Sequence, residues 1–330
     1  MLKCCLFGAG RIGAVHAENL KRHPGAELRW VIDPAEQAGR ALAEATGARW
    51  SDASGDGLAD REVDAVVIAS PTPTHVELTI AAARAGKAIF CEKPIDLEMQ
   101  RVDQAIAEID DAKVPFFIAF NRRFDPSFRK VKADLAQGVI GKLELVQITS
   151  RDPSPPPAEY LRQSGGLFRD MMIHDLDMAR WLLGDEPVEI FAAGSALVDP
   201  SIREFGDIDT AIVVLRTRDG LLAQITNSRR AAYGYDQRLE VLGSKGMLRA
   251  ENAQNHTVST WTGSGIVHDK PPNFFIDRYR EAYRAELDHF IAAVGRRDRP
   301  LLTGAHDGRQ ALLLADAALE SWEMGRPVSL

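Results

Sequence analysis

The stretch GGLFRDMMIHDLDMARWLL places Asp170, His174, Asp175 and Asp177 among leucines and methionines. A helix turns roughly 100° per residue, so Asp170, His174 and Asp177 share one face and Asp175 points elsewhere. An imidazole titrates near neutrality and suits proton removal. A carboxylate beside it can hold hydroxyl groups and orient a substrate. Two plainer readings stay open. An acidic residue in a first helical turn is stabilised by the helix dipole, and Ser164, ahead of Gly165-Gly166, is a candidate cap. Asp177 either orients His174 or pairs with a nearby arginine. Metal ligation by Asp170, His174 and Asp177 also fits helical spacing, but no second ligand cluster stands out, so no metal is expected.

A second constellation opens the chain. LFGAGRIG supplies Gly8, Gly10 and Gly13 in a G-x-G-x-x-G pattern between an apolar strand and a helix, the context that gives this pattern its meaning. Gly8 allows a tight turn, Gly10 lets the backbone approach a pyrophosphate, and Gly13 permits close helix–strand packing. The helix start, with Arg11 and Ile12, offers amides to phosphates. Asp33 ends the second strand twenty residues after Gly13. A carboxylate there accepts from the adenosine ribose and repels a 2′-phosphate. Pro34, Ala35 and Glu36 follow, without a cation, so NAD is expected rather than NADP. Asp33 can also cap the next helix, and both roles can coexist. Further along, Glu92 and Lys93 of IFCEKP follow the fourth strand, and Ser70, Pro71, Thr72 and His75 follow the third. Ligands of open α/β sheets sit beyond such strand ends, so these residues are expected to wall the dinucleotide. For Lys93 the alternative is an ordinary surface lysine, and for His75 a packing or capping residue.

The elements that must position these groups can be read from periodicity. LKCCLFGAG, AELRWVIDP, VDAVVIAS, KAIFCEKP and PFFIAF read as five short apolar strands separated by amphipathic helices, which signals a parallel sheet covered on both faces. That rhythm ends near Asn121. Beyond it, KLELVQITSRD, VEIFAAGSALV, DTAIVVLRTRDG, LLAQITNSRRAAYGY, QRLEVLGSKGMLRAEN and HTVSTWTG read as long strands joined by turns such as Asp219-Gly220 and Ser244-Lys245-Gly246. Such connections imply a mostly antiparallel or mixed sheet. Two helices close the chain, over 274–294 and 304–324. The expected architecture is therefore α/β: a doubly wound parallel sheet over residues 1–121 and an α+β domain with a large open sheet over 122–330.

Composition agrees with a globular chain. The 330 residues suffice for two cores. A net charge of −7 disfavours nucleic acid and anionic membrane surfaces, and no apolar run approaches a membrane span. The three cysteines, Cys4, Cys5 and Cys91, lie in strand-like surroundings and form no disulfide framework or zinc knuckle. With no signal-peptide layout at the start, a cytoplasmic location is expected.

The segments GAGRIGAVHAENL, PTPTHVE, EKP, FNRRFDPSF, RDPSPPPAEYLRQSGGLFRDMMIHDLDMARWL and YGYDQRLEVLG resemble the Gfo/Idh/MocA oxidoreductases, and within them the inositol 2-dehydrogenase branch. The resemblance covers nearly the whole chain. E-K-P followed later by D-x-x-x-H is its most specific part. It implies a Rossmann domain followed by an α/β domain with an open sheet, NAD as cofactor, and a homotetramer built through that sheet. The alternating pattern in DTAIVVLRTRDG and LLAQITNSRR fits a face covered by a partner and equally one in water. The resemblance further implies that Lys93, Asp170 and His174 are catalytic, with Asp170 also binding substrate. Asn121, Arg122, Asp152 and Tyr235 are candidate substrate-binding residues, although Arg122 or Arg123 could pair with Asp125 and Tyr235 could pack on the sheet. The implied reaction is oxidation of myo-inositol to its 2-ketone. The alternative is another cyclic polyol or aldose, such as scyllo-inositol or glucose. A nicotinamide-binding regulator without turnover is disfavoured because both Lys93 and His174 are present.

Overall fold

The computed structural model describes residues 1–296 and 300–330. The chain divides into two compact units, Met1–Phe124 with Glu281–Leu312, and Asp125–Arg280 with Leu313–Leu330.

The first unit begins with β1 (Leu2–Phe7), α1 (Arg11–Arg22), β2 (Ala26–Ile32), α2 (Glu36–Thr46), β3 (Arg49–Ser51), α3 (Ser54–Ala59), β4 (Ala65–Ile68), α4 (His75–Arg84), β5 (Ala88–Glu92), α5 (Met99–Ala112) and β6 (Phe116–Ala119). The six strands are all parallel, in the order β3-β2-β1-β4-β5-β6. Every residue of β4 is buried, as are the first four of β5, which is why these strands are apolar throughout. The strand order reverses between β1 and β4, the switch point beyond which open α/β sheets bind ligands. Gly8, Asp33, Ser70, Lys93 and Asn121 all lie just past carboxyl ends of strands.

The sheet has one strand more than the five read from sequence. Strand β3 has only three residues, too few to show a period. Its Trp50 is fixed from outside the strand: the indole donates to the Asp33 carbonyl at 3.2 Å, and the Arg40 guanidinium lies 4.2 Å above the ring.

The second unit contains α6 (Pro126–Ala136), β7 (Leu143–Arg151), α7 (Ala158–Leu161), a π-helical turn over Phe168–Met172, α8 (Ile173–Leu183), β8 (Pro187–Ser195), β9 (Thr210–Thr217), β10 (Leu222–Ser228), β11 (Asp236–Gly243), β12 (Gly246–Ala250), β13 (Ser259–Thr262), β14 (Gly265–His268) and α9 (Phe275–Arg278). Helices α10 (Arg280–Arg296) and α11 (Ala305–Met324) and the short β15 (Val328–Ser329) complete the chain. The main sheet has seven strands, ordered β12-β11-β7-β10-β9-β8-β15. Its pairs are antiparallel except β7 with β10. Along β9, Ala211, Val213 and Leu215 are buried whereas Ile212 and Val214 are exposed, the alternation of a sheet covered on one face. The register carries Phe191, Val214, Gln224, Gln147 and Glu240 across the uncovered face.

Several boundaries differ from the sequence reading. The segment ending in AAYGY stops being a strand at Ser228, whereas QRLEVLGSKGMLRAEN folds into the β11–β12 hairpin about the expected Ser244-Lys245-Gly246 turn. Only Ser259–Thr262 of HTVSTWTG is strand, paired with β14 in a separate hairpin. The helix expected over 274–294 is broken between α9 and α10. Helix α6 is an addition to the sequence reading, although Asp125 and Pro126 mark its start: the Asp125 carboxylate accepts from the Ser127 and Phe128 amides at 3.0 and 3.1 Å.

The units also differ from a single division at 121/122, because Glu281–Leu312 belongs to the first. Aromatic burial explains the return. Phe290 of α10 lies 5.6 Å from the Phe90 ring and 6.1 Å from that of Phe117. Hydrophobic periodicity reports that α10 has an apolar face, not which sheet receives it. Among the described residues, no helix is long and apolar enough to cross a membrane.

Candidate active site

The glycine loop follows β1, and its three glycines meet three different surroundings. Gly8 has φ +101°, and a Cβ there would lie 2.6 Å from the Ala69 carbonyl oxygen. At Gly13 a Cβ would lie 2.0 Å from the Gly8 carbonyl oxygen. At Gly10 it would meet nothing within 4 Å. Gly8 and Gly13 are therefore required by the fold, whereas Gly10 leaves its backbone open to a ligand. Arg11 and Ile12 start α1, exposed and half-buried.

Asp33 joins this loop to the next helix. One carboxylate oxygen accepts the Ala9 amide at 2.6 Å and the other the Ala35 amide at 2.7 Å. Asp33 thus ties the glycine loop to the turn before α2, whereas the helix itself has Ala35 at its N-cap and no side-chain cap. A carboxylate has about four acceptor sites, so two amides do not exhaust it. An open glycine, a helix N-terminus and an anchored carboxylate fit a dinucleotide whose ribose hydroxyls donate to Asp33.

Beyond β4, Ser70 Oγ and Thr74 Oγ1 are 2.6 Å apart, Pro71 is exposed and Thr72 opens a 3-10 turn. His75 is buried, and its ring nitrogens each lie 2.8 Å from a backbone carbonyl, those of Pro94 and Ser70. Burial lowers the pKa of this imidazole against the opposing pull of the two carbonyls. The ring ties the loop after β4 to the E-K-P turn, the packing role that was its alternative to a place in the dinucleotide wall. Glu92 ends β5 and lies 2.7 Å from His16 Nε2, and Lys93 next to it is half-buried. Asn121 and Arg122 open the turn after β6, both buried. Arg123, one of the arginines considered for Asp125, bonds Asp307 at 2.7 Å, and Asp125 bonds Arg278 at 2.5 Å.

In the second unit, the opening helix sorts its three carboxylates and its imidazole by burial. Leu167, Met172, Ile173, Leu176 and Ala179 are wholly buried. Asp175 points into the sheet, accepting from Ser150 Oγ of β7 at 2.6 Å and Asn227 Nδ2 of β10 at 2.9 Å. Asp177 is buried and lies 3.7 Å from Arg180, a separation that fits the arginine alternative. Asp170 and His174 are the half-buried pair. Asp170 falls in the π-helical turn rather than in regular α-helix. Such widened turns recur at functional sites.

Asp170 is held from two sides. Its Oδ1 accepts the Tyr160 hydroxyl at 2.8 Å, and its Oδ2 accepts from Arg229 Nη2 at 3.3 Å and Nη1 at 3.4 Å. The Arg229 residue is 1% exposed and also lies 4.0 Å from Asp207. Asp207 in turn accepts the Leu167 amide at 2.8 Å, sharing the helix start with Ser164, which accepts the Gly166 amide at 3.2 Å. Burial raises the Asp207 carboxyl, while the amides and Arg229 pull it down. Burial of the Tyr160 hydroxyl and the charge of Asp170 raise that phenol, so it remains a donor. The glycines before the helix serve this network: Gly166 has φ +82°, and a Cβ there would lie 2.8 Å from Asp207. Tyr160 and Arg229 are absent from the sequence-based candidates. One sits in the short helix α7 and the other just past β10, at no fixed spacing from Asp170. Of the remaining candidates, Asp152 is half-buried and its amide donates to the Ser228 carbonyl at 2.9 Å. Tyr235 is buried and edge-on to Tyr279, with ring centroids 6.1 Å apart, the packing role that was its alternative.

Comparison with known proteins gives full-length matches. Residues 2–120 match the family described as an oxidoreductase family with an NAD-binding Rossmann fold, and residues 128–249 match the GFO/IDH/MocA C-terminal domain. The inositol 2-dehydrogenase of Rhizobium meliloti (strain 1021) is 48% identical over 327 residues, spanning 98% of each chain. The myo-inositol 2-dehydrogenase of Thermotoga maritima is also 48% identical over 327 residues, 98% of this chain and 97% of its own. Among solved structures, a myo-inositol dehydrogenase from Corynebacterium glutamicum superposes with a TM-score of 0.96 at 45% identity, covering 100% of this chain and 99% of the other.

Proposed function

From the premise that this chain belongs to the Gfo/Idh/MocA oxidoreductase family, with an NAD-binding Rossmann domain, we propose that it oxidises myo-inositol to 2-keto-myo-inositol. The observation that carries this reading is near-half identity across the full length of two inositol 2-dehydrogenases. The side chains suit the chemistry. Gly8, Gly10, Gly13 and Asp33 hold NAD, which when bound accepts hydride from the alcohol carbon. His174 takes the hydroxyl proton, as an imidazole does well near neutral pH. The Lys93 ammonium donates to the developing alkoxide and stabilises it. Asp170, kept in place by Tyr160 and Arg229, accepts from neighbouring ring hydroxyls and fixes the ring. Asn121, Arg122 and Asp152 supply further polar contacts to a ring that carries hydroxyls all round. The buried Tyr235 supports that wall.

A homotetramer formed through the open sheet belongs to the same proposal. It is supported by Phe191, Val214, Leu242 and Met247, exposed apolar residues on the uncovered face. A cytoplasmic location is supported by three buried free cysteines. The reading is tested by NADH formation across a panel of inositol isomers and aldoses. The proposal expects the highest kcat/KM with myo-inositol; a higher value for glucose or another aldose would retire the inositol assignment, and a higher value for scyllo-inositol would move it to that isomer.

A further inference from the structure

Behind the E-K-P turn, inside the first unit, lies a polar cluster that the proposed chemistry does not use. His16 of α1, Glu92 at the end of β5 and Glu286 of α10 bring side-chain nitrogen and oxygen atoms within 4.8 Å of one another. Glu286 is 0% exposed, and neither of its carboxylate oxygens has a hydrogen-bond partner among the described residues. The surroundings are aromatic: the His16 ring lies 4.9 Å from Phe90 and 5.9 Å from Tyr283, edge-on in both cases.

An ionised carboxylate in such a place is strongly disfavoured. Three species could relieve it: a positively charged His16, a bound cation, or a proton on Glu286 itself. The first is opposed by geometry. His16 Nε2 already faces Glu92 Oε1 at 2.7 Å, while its Nδ1 is buried with no hydrogen-bond partner among the described residues. An unsolvated N–H there would be costly, so the ring is best neutral, with the proton on Nε2 and donated to Glu92. A cation is opposed by the same distance. Two ligands held about 2.0–2.2 Å from a tetrahedral ion lie roughly 3.3 Å apart, whereas 2.7 Å is a hydrogen bond.

We propose that Glu286 is a neutral carboxylic acid at physiological pH, presented toward the Glu92 carboxylate opposite the His16 donor, and that this buried proton-sharing cluster positions the turn carrying Lys93. The cluster then holds one negative charge rather than two. Burial and the nearby Glu92 charge both raise the Glu286 carboxyl. Among the described residues, the ionisable groups facing it are Glu92 from β5, His16 from α1 and, beyond the His16 ring, Tyr283 from its own helix. Glu92 is adjacent to Lys93 in the chain, and on the far side of the turn the Pro94 carbonyl is held by His75 at 2.8 Å. Lys93 is thereby anchored between two histidine-held residues. Glu286 and His16 are positioning residues that act through Glu92.

The kinetic part of this inference rests on the reading of Lys93 as catalytic; the protonation part does not. Infrared spectra of the purified protein at neutral pH test the latter. A protonated-carboxyl C=O band is expected in the wild type and in Glu92→Gln, and its loss in Glu286→Gln. Kinetics test positioning. Glu286→Ala should lower kcat about ten-fold or more, as small displacements of catalytic groups do, with little change in NAD affinity. Glu286→Gln, which keeps a neutral donor of the same shape, should retain most of the wild-type turnover. Absence of the band, or a stoichiometric divalent ion in the purified protein, would overturn the proton-sharing cluster. Equal damage by Gln and Ala would overturn the neutral-donor role. Should the Ala variant fail to fold, the Gln variant decides alone: folded and active it supports the neutral donor, misfolded or inactive it overturns it. If the wild type oxidises no polyol, the reading of Lys93 fails, while the infrared result still decides the state of Glu286.

Discussion

Replacing Gly10 and Gly13 separately by alanine should divide the roles of the glycine loop into one that serves ligand binding and one that serves the fold. Gly10 has φ −72° and ψ −169°, a conformation any residue adopts, and its added Cβ meets nothing within 4 Å. Gly10→Ala should therefore leave the ligand-free protein as stable as the wild type, or up to about 1 kcal/mol more stable through the narrower unfolded ensemble. The same methyl group would stand where the backbone must approach a pyrophosphate. A loss of at least about ten-fold in NAD affinity, roughly 1.4 kcal/mol, is expected. Gly13→Ala should behave in the opposite order. Its Cβ would lie 2.0 Å from the Gly8 carbonyl oxygen, an overlap of more than about 1 Å against ordinary contact. The obstacle is backbone, so no rotamer relieves it, and α1 must shift away from the loop. Overpacking of this kind costs about 1–3 kcal/mol, and NAD binding falls as a consequence. Thermal denaturation without ligand, followed by calorimetric titration with NAD, measures both quantities. Wild-type NAD affinity in Gly10→Ala, or unchanged stability in Gly13→Ala, would refute the assignment.

Asp33→Ser should narrow the preference for NAD over NADP, read as the ratio of kcat/KM for the two cofactors; equal efficiency of the wild type with both would remove Asp33 as the discriminator. Lys93→Ala and His174→Ala should each lower turnover by about 10²–10⁴-fold, the range for lost acid–base partners, while folding and NAD binding persist; near-normal turnover in His174→Ala would exclude it as proton acceptor. Stability against pH tests Glu286 independently. Its carboxyl is raised in the folded protein above the ordinary value of 4.5, so above that pH the unfolded chain releases a proton the folded chain keeps. Wild-type stability should fall relative to Glu286→Gln as pH rises from 4.5 toward the raised folded value, by up to about 1.4 kcal/mol per pH unit. Parallel urea-denaturation profiles between about pH 5 and 7 would contradict this.

The first unit was legible because its strands β4, β5 and β6 are buried on both faces and its glycines sit where a strand becomes a helix. Such patterns are local. Strand β3 escaped because three residues carry no period. The return of α10 to the first unit escaped because its apolar face is satisfied equally well, on paper, by either sheet. On the opening helix, spacing put Asp170, His174 and Asp177 on one face, and the structure leaves the first two half-buried while Asp177 is buried 3.7 Å from Arg180; helical spacing gives direction around the axis, not depth. The π-helical turn is likewise invisible in a pattern read at about 3.6 residues per turn. The partners of Asp170 show the wider limit. Arg229 is fifty-nine residues away, and only the register of the sheet brings it there. For His75 the sequence left a ligand contact and a packing role both open, and the buried ring holds two backbone segments together, contacts that no local pattern announces.

Transfer of a deuterium label from carbon 2 of myo-inositol to the nicotinamide tests the central claim most directly. With NAD and myo-inositol labelled at that carbon, the account predicts singly deuterated NADH and an unlabelled 2-ketone in equal amounts. It also predicts slower turnover than with unlabelled substrate wherever hydride transfer limits the rate. Unlabelled NADH from the labelled substrate would place the oxidation at another carbon, and no reduction of NAD by myo-inositol under conditions where another polyol or sugar is oxidised would contradict the assignment.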